Sequence, residues 1–280
     1  MSRKVGRRLA MSGLMLGVLA PCAACAAPRA EAWTRWDASD ETAPASIDHS
    51  AWDGFLARYI VAGEDGINRV AYHRVLPADR EMLSLYVARL CGLPVTAYAR
   101  AEQLPFWINL YNALTLRTVL EHHPVASILD IDISPGVLAR GPWGKKLVHI
   151  EGEEVSLDDI EHRILRPLWH DRRLHYALNC AALGCPNLQP HAFTRAATPA
   201  VLDAAARAYI NHPRGARVVD HRLQVSSIYV WYKADFGGTD AGVIEHLKRY
   251  AALPLAQALA PVTQISGDDY DWSLNDAKLL

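Results

Sequence analysis

The strongest helix signal in this chain runs from Pro105 to about His122. Pro105 suits the first helical position, because its missing N–H would have no intrahelical partner there. Phe106, Leu110, Leu114 and Leu120 supply an apolar surface, and Pro124 closes the segment. Other elements flank it. Trp52, Phe55, Leu56 and Tyr59 recur at amphipathic helical spacing. A short strand is expected from Asn68 to Tyr72 after a Gly66 turn, and a second helix from Asp79 to about Leu90. Lys146–Ile150 and Glu153–Val155 flank Glu151-Gly152 as a hairpin. Ser156 with Asp159 starts a helix in capping-box fashion, carries Ile160 and Ile164 inward and is expected to stop before Pro167. Arg173 to Asn179 reads as a strand, and Thr198-Pro199 opens another helix. A second hairpin is expected over 217–226. Then come a short aromatic helix capped by Ser227 and ended by Gly237-Gly238, and a last helix over about 241–251. Helices and short hairpins interleave without a βαβ rhythm, so the expected class is α+β, helices packed on short antiparallel hairpins. One domain over 48–280 is expected, preceded by a flexible lead-in at 27–47 rich in Ala, Thr, Ser and Asp.

Residues 1–26 carry the three parts of a secretory signal. Arg3, Lys4, Arg7 and Arg8 are a positive start, Leu9–Ala20 is an apolar run too short to span a bilayer, and Ala24-Cys25-Ala26 is a small-residue cleavage site. A periplasmic or secreted product is expected. A lipoprotein is disfavoured, since Pro21 and the spacing of Cys22 and Cys25 spoil the usual acylation context. Removing the signal leaves 25 basic against 30 acidic side chains, a net charge of about −5. No basic block suggests nucleic acid, and no later segment is apolar enough for a transmembrane helix. A hydrophobic content of 51% suffices for a single large core.

Three clusters place polar residues where a purely structural chain more often has apolar ones. In Phe106-Trp107-Ile108-Asn109-Leu110-Tyr111-Asn112 the two amides are three apart and share a helix face. They either orient a substrate or catalytic group, or tie down a loop, because burying them unpartnered costs about 1–3 kcal/mol each. In Asp158-Asp159-Ile160-Glu161-His162, Glu161 and His162 sit beside an inward Ile and could edge a cleft; a Glu and a His on a helix are otherwise merely solvated. In His175-Tyr176-Ala177-Leu178-Asn179-Cys180, strand alternation puts His175 and Asn179 on one face and Cys180 at the end. A helical turn over 181–184 would favour a Cys180 thiolate, with an imidazole as its base. Cys91, Cys180 and Cys185 survive cleavage, an odd count that permits one disulfide, most simply Cys180–Cys185 with Cys91 in a helix core. The Cys-x4-Cys spacing is wider than that of common zinc sites, so neither a metal nor a cofactor is expected.

These segments, with Gly141-Pro142-Trp143, Leu157 to His162, Leu165-Arg166-Pro167, Cys185-Pro186-Asn187-Leu188 and Tyr270 to Asn275, resemble the domain of unknown function 547 family, in order over roughly residues 50–275. The resemblance implies a domain rather than a reaction, with motif positions at Trp107, Asn109, Asn112, Glu161, His162, His175, Cys180 and Cys185. A looser similarity is to papain-like and transglutaminase-like thiol enzymes, although here the histidine precedes the cysteine. Two functions are expected to compete. One is a thiol-dependent acyl-transfer or amide-hydrolysing enzyme. Cys180 would be its nucleophile, His175 its base with His162 in reserve, and Glu161 the orienting group. Trp107, Asn109, Asn112 and Asn179 would bind substrate or an oxyanion. The other is a non-catalytic envelope module for a small-molecule, peptide, glycan or protein partner. Trp107, Trp143, Trp231 and Trp272 would wall its cleft, and Cys180–Cys185 would be a structural disulfide.

Overall fold

The computed structural model describes residues 28–136 and 139–279; the expected signal peptide lies outside the described residues. The fold is α+β. Its centre is the 23-residue helix α3, Arg100–His122, whose side chains from Phe106 to Leu116 are all buried. It begins five residues earlier than the sequence suggests, so Pro105 lies inside it. The proline is tolerated because its missing N–H forfeits only the bond to the carbonyl of Ala101, an exposed residue that water can satisfy. Helix α1, Ser50–Tyr59, packs on α2, Pro77–Cys91, and α2 packs on α3. Cys91, the last residue of α2, is a free, half-buried thiol pushed up to about 11 by burial.

The strands are short. β1, Ile60–Ala62, pairs antiparallel with β2, Asn68–Val70. The expected hairpin is present as β3, Val148–Ile150, and β4, Glu153–Val155, with positive φ at both turn residues Glu151 and Gly152. The 217–226 hairpin is also present, as β5, Ala216–Val219, and β6, Arg222–Ser226; it gains a parallel partner on its other edge, β7, Ile265–Asp269. The sequence reading missed β7, whose Ser-Gly-Asp-Asp composition has low strand propensity.

Ser156 and Asp159 make the anticipated capping box: the Asp159 amide donates to Ser156 Oγ at 3.1 Å, and the Ser156 amide to Asp159 Oδ2 at 2.9 Å. The box opens a π-helical segment, Asp159–Leu165, that runs into α4, Arg166–Trp169. The helix therefore continues through Pro167 instead of stopping before it. The carbonyls that a proline N–H cannot reach, those of His162 and Arg163, accept from the backbone N–H groups of Glu31 and Trp33 at 3.1 and 2.9 Å. The same bonds tie residues 31–33 to the π segment. Within residues 28–47, Trp36, 1% exposed, and Ile47 are buried in the core, and most of the other residues are exposed.

A second correction concerns 173–179. In place of a strand the chain forms a 3-10 turn, Arg172–Tyr176, followed by a loop. Asp171 caps this turn by accepting from the Arg173 amide, and the Leu174 and Ala177 amides find local carbonyls. With its backbone paired locally and no neighbouring strand edge, alternation does not set which way His175 and Asn179 face. Helix α5, Thr198–Ile210, and helix α7, Asp240–Tyr250, cover the three-stranded sheet and make a second core. Between them lie the short helix α6, Ile228–Trp231, and a 3-10 turn, Lys233–Phe236; helix α8, Leu253–Leu259, comes after α7. Ser227 does not cap α6. Its hydroxyl donates to Asp268 Oδ2 at 2.6 Å, and the Ile228 amide goes to Ser226 Oγ. Leu174 and Ala177 belong to the first core and Tyr176 to the second, so the 172–178 segment runs along the seam between the two.

Candidate functional site at the seam

The π segment widens the helix just where it carries Glu161 and His162, and both side chains are buried. Glu161 Oε2 accepts from Tyr111 Oη at 3.1 Å, and the Tyr232 hydroxyl lies beside its carboxylate. Burial pushes this carboxyl up, but His162, His175, the Tyr232 hydroxyl and Arg166 outweigh it and leave the pKa below its usual value. Arg166, one turn on, donates from Nη1 to His162 Nδ1 at 3.0 Å, which leaves any ring proton on Nε2, 3.6 Å from Asp158 Oδ1. Burial lowers the pKa of His162, the charges of Arg166 and His175 add to that, and Glu161 opposes them. Asp158, pressed by burial and by the charges of Glu161 and Asp159, rises to about 6.

The other half of the cluster comes from across the seam. Asp235, in the 3-10 turn after α6, accepts from Arg166 Nε at 2.7 Å and pairs with His175 Nε2 at 2.8 Å. Burial works against its ionisation, but the hydrogen bonds from His175 and Arg166 hold its carboxyl far below the usual range. His175 lies against the Tyr232 ring, with centroids 4.2 Å apart, and its Nδ1 has no hydrogen-bond partner among the described residues.

Cys180 is half-buried five residues beyond His175. Its Sγ is at disulfide distance from that of Cys185, with the Cα atoms 6.4 Å apart. The Tyr270 hydroxyl sits 3.1 Å from the Cys180 sulfur and 3.0 Å from that of Cys185, and burial raises its pKa well above the usual value. No helical turn comes after Cys180. Ala181 has φ of +60°, and the amides of Leu183 and Gly184 donate to Ser273 and Asp271 carbonyls in the C-terminal tail. Those N–H groups are therefore not available to favour a thiolate.

The asparagines fix the backbone around the sulfurs. Asn109 grips the Phe193 backbone through both amide atoms, at 2.8 and 3.0 Å. Asn112 donates to Ala177 O and accepts from the Asn179 amide, both at 2.9 Å. Asn179 accepts from the Ala181 amide and donates to Pro186 O. Trp107 is 1% exposed and packs edge-on against Trp36 and Phe106, away from any surface. Trp143, Trp231 and Trp272 do gather, joined by Tyr270: Trp231 stacks on Trp272 at 5.5 Å, and Trp272 lies 4.7 Å from Tyr270. All four rings are partly exposed, forming an aromatic shelf beside the sulfur pair.

The structure thus brings Glu161, His162 and His175 into one cluster and places Cys180 and Cys185 under Tyr270. Sequence reasoning missed Tyr111, Tyr232, Asp235 and Tyr270. Tyr111 had a signal within the Phe106–Asn112 cluster and Tyr270 as the first residue of the aromatic tail; Asp235 sits in an unremarkable Lys-Ala-Asp-Phe run.

No curated protein and no solved structure matches this chain, and the similarity to papain-like and transglutaminase-like enzymes has no support. Residues 95–210 match the family described as "Protein of unknown function, DUF547", a narrower span than the 50–275 over which the motifs run. That span holds α3, the π segment, His175 and both sulfurs, whereas Asp235 and Tyr270 lie beyond it. The chain therefore carries a DUF547 domain at residues 95–210.

Proposed function

We propose that the protein is an exported thiol-dependent enzyme of the acyl-transfer or amide-hydrolysing class, with Cys180 as nucleophile and His175 as base. The observation that carries this reading is the His175–Asp235 pair: Asp235 fixes Nε2 at 2.8 Å and leaves Nδ1 without a partner among the described residues. An imidazole anchored at one nitrogen and open at the other can take a thiol proton and return it to a leaving group. In the working form Cys180 is a free thiol, its pair with Cys185 opened by exchange with an external dithiol that leaves as its own disulfide. Its thiolate forms a C–S bond to the substrate carbonyl, the imidazolium protonates the departing amine or alcohol, and water or an acyl acceptor releases the thioester. Glu161 and His162 share the buried cluster with His175, Glu161 as the orienting group and His162 as the reserve base. The test is alkylation at pH 6–7 after mild reduction, followed by an acyl-substrate screen. Selective labelling of Cys180 and turnover lost in both Cys180→Ser and His175→Ala are expected. Activity intact in Cys180→Ser would end this reading.

A second reading has its own observation. The shelf of Trp143, Trp231, Tyr270 and Trp272 flanks sulfurs at disulfide distance. It suits a non-catalytic envelope module holding a peptide or glycan against aromatic faces, with the sulfur pair as a structural disulfide. Purified protein two protons short in mass, with no thiol reacting at Cys180 under mild reduction, favours this alternative.

A further inference from the structure

A depression of about 700 Å³ is lined by Tyr270, by Leu183 and Gly184 of the cysteine loop, and by Arg69, Arg214, Arg217 and Asp271. Its cations are unequally compensated. Arg69 is paired with Asp65 at 2.6 Å and Arg217 with Asp269 at 2.7 Å. Arg214 has no carboxylate within ion-pair distance among the described residues. It donates to Leu183 O at 2.7 Å and to Asn187 Oδ1 at 2.6 Å, both neutral acceptors, and its buried Nε has none. His212 adds no charge to balance or repel: its Nδ1 accepts from the Arg214 amide and its Nε2 donates to Asp65 O, the pattern of a neutral ring. Burial and the nearby Arg69 charge both push the Arg214 pKa down, as expected of a guanidinium lacking a counter-ion. A second, smaller cavity of about 160 Å³ also reaches Arg214.

We infer that this depression binds a small molecule through a single carboxylate group, with Arg214 as its counter-ion. Arg214 is the one arginine of this lining with no carboxylate in ion-pair range among the described residues, and its planar fork suits a carboxylate; Asp271 is the one aspartate of the lining left unpaired with an arginine. A phosphate dianion fits less well, because Asp65, Asp269 and Asp271 line the same walls. The depression shares Tyr270 with the sulfur pair, but Arg214 bonds neither sulfur, so binding there does not rest on Cys180 being a nucleophile.

The test is calorimetric titration of the full chain with N-acetylalanine, with its neutral amide and with inorganic phosphate. Saturable binding of the acid is expected, at least about tenfold tighter than of the amide, weakening with salt and unchanged in Cys180→Ser. Arg214→Gln should weaken the acid by about tenfold or more. That variant also loses bonds to Leu183 and Asn187, so Asp271→Asn provides the second measurement. It removes an exposed negative charge from the wall and should tighten the acid several-fold. Equal binding of acid and amide, no saturable binding at tens of millimolar, or an unchanged affinity in both variants would overturn the inference; preferential phosphate binding would overturn the carboxylate assignment.

Discussion

Asn109 and Asn112 leave the same face of α3 and hold two different stretches of backbone, Phe193 and the 177–179 loop. Of the two readings that their spacing allowed, the geometry realises loop anchoring. Asn112→Ala orphans the Ala177 carbonyl and the Asn179 amide, each buried, at about 1–3 kcal/mol apiece. A urea midpoint lowered by that energy divided by an unchanged slope is expected; no shift would mean that other contacts hold the loop. Two buried histidines set a second prediction. Burial, followed by neighbouring arginine charge, lowers His49 and His246 to about 4. Between that value and the ordinary 6.5 the unfolded chain binds protons that the folded chain does not, so their contribution to stability is full above about pH 6.5 and is lost as pH falls towards 4. Asp158, raised to about 6, works in the opposite direction, because the folded form takes up its proton first. The difference between wild type and His246→Phe isolates the effect. The drop in melting temperature from pH 7 to 5 should be smaller in the variant, and an equal drop would refute the assignment.

At the scale of elements, the C-terminal tail acts as a clasp. Asn275 accepts from the Val70 amide through its carbonyl, donates its own amide to Ala181 O, and meets Tyr72 Oη and Asn179 through its side chain. Gly184 is the point of closest approach: a Cβ there would lie 2.8 Å from the Asp271 amide nitrogen and 3.0 Å from its carbonyl oxygen, both backbone atoms that cannot swing aside. Gly184→Ala should therefore destabilise by about 1–3 kcal/mol, the usual penalty of overpacking, and should speed hydrogen exchange at Leu183 and Gly184, whose amides bond the tail. Protected amides in that variant would show that the tail can shift without releasing the loop. The π segment is the other decisive element. It and Pro167 leave carbonyls free on the His162–Arg163 stretch, and residues 31–33 take them up.

At the scale of the molecule, two cores meet at a seam that is polar. Asp235 comes from the second core's side and bonds Arg166 and His175 on the first. Arg166 is 6% exposed at its side chain, so Asp235→Asn removes the counter-charge of a buried guanidinium and should cost about 3–5 kcal/mol. Thermal unfolding with probes in each core tests it: a split into two transitions would show that this ion pair couples them, and a wild-type melting temperature would show that apolar contact alone does so.

The α+β class, the capping box at Ser156 and both hairpin turns were legible in the sequence, as was the pairing distance of Cys180 and Cys185. Each depends on residues within a few positions of one another, where propensity and turn chemistry act directly. The 173–179 segment was misread because alternation predicts a strand only where a neighbouring edge exists to pair with it, and only the fold decides that. The site itself is a product of tertiary structure. His175 meets Asp235 across 60 positions, Cys180 meets Tyr270 across 90, and Asn275 reaches Asn179 across 96. Contacts of that span leave no periodic trace, since they are fixed by how two cores close on each other. The sequence by itself determined which residue types were available for chemistry, and packing decided which of them meet.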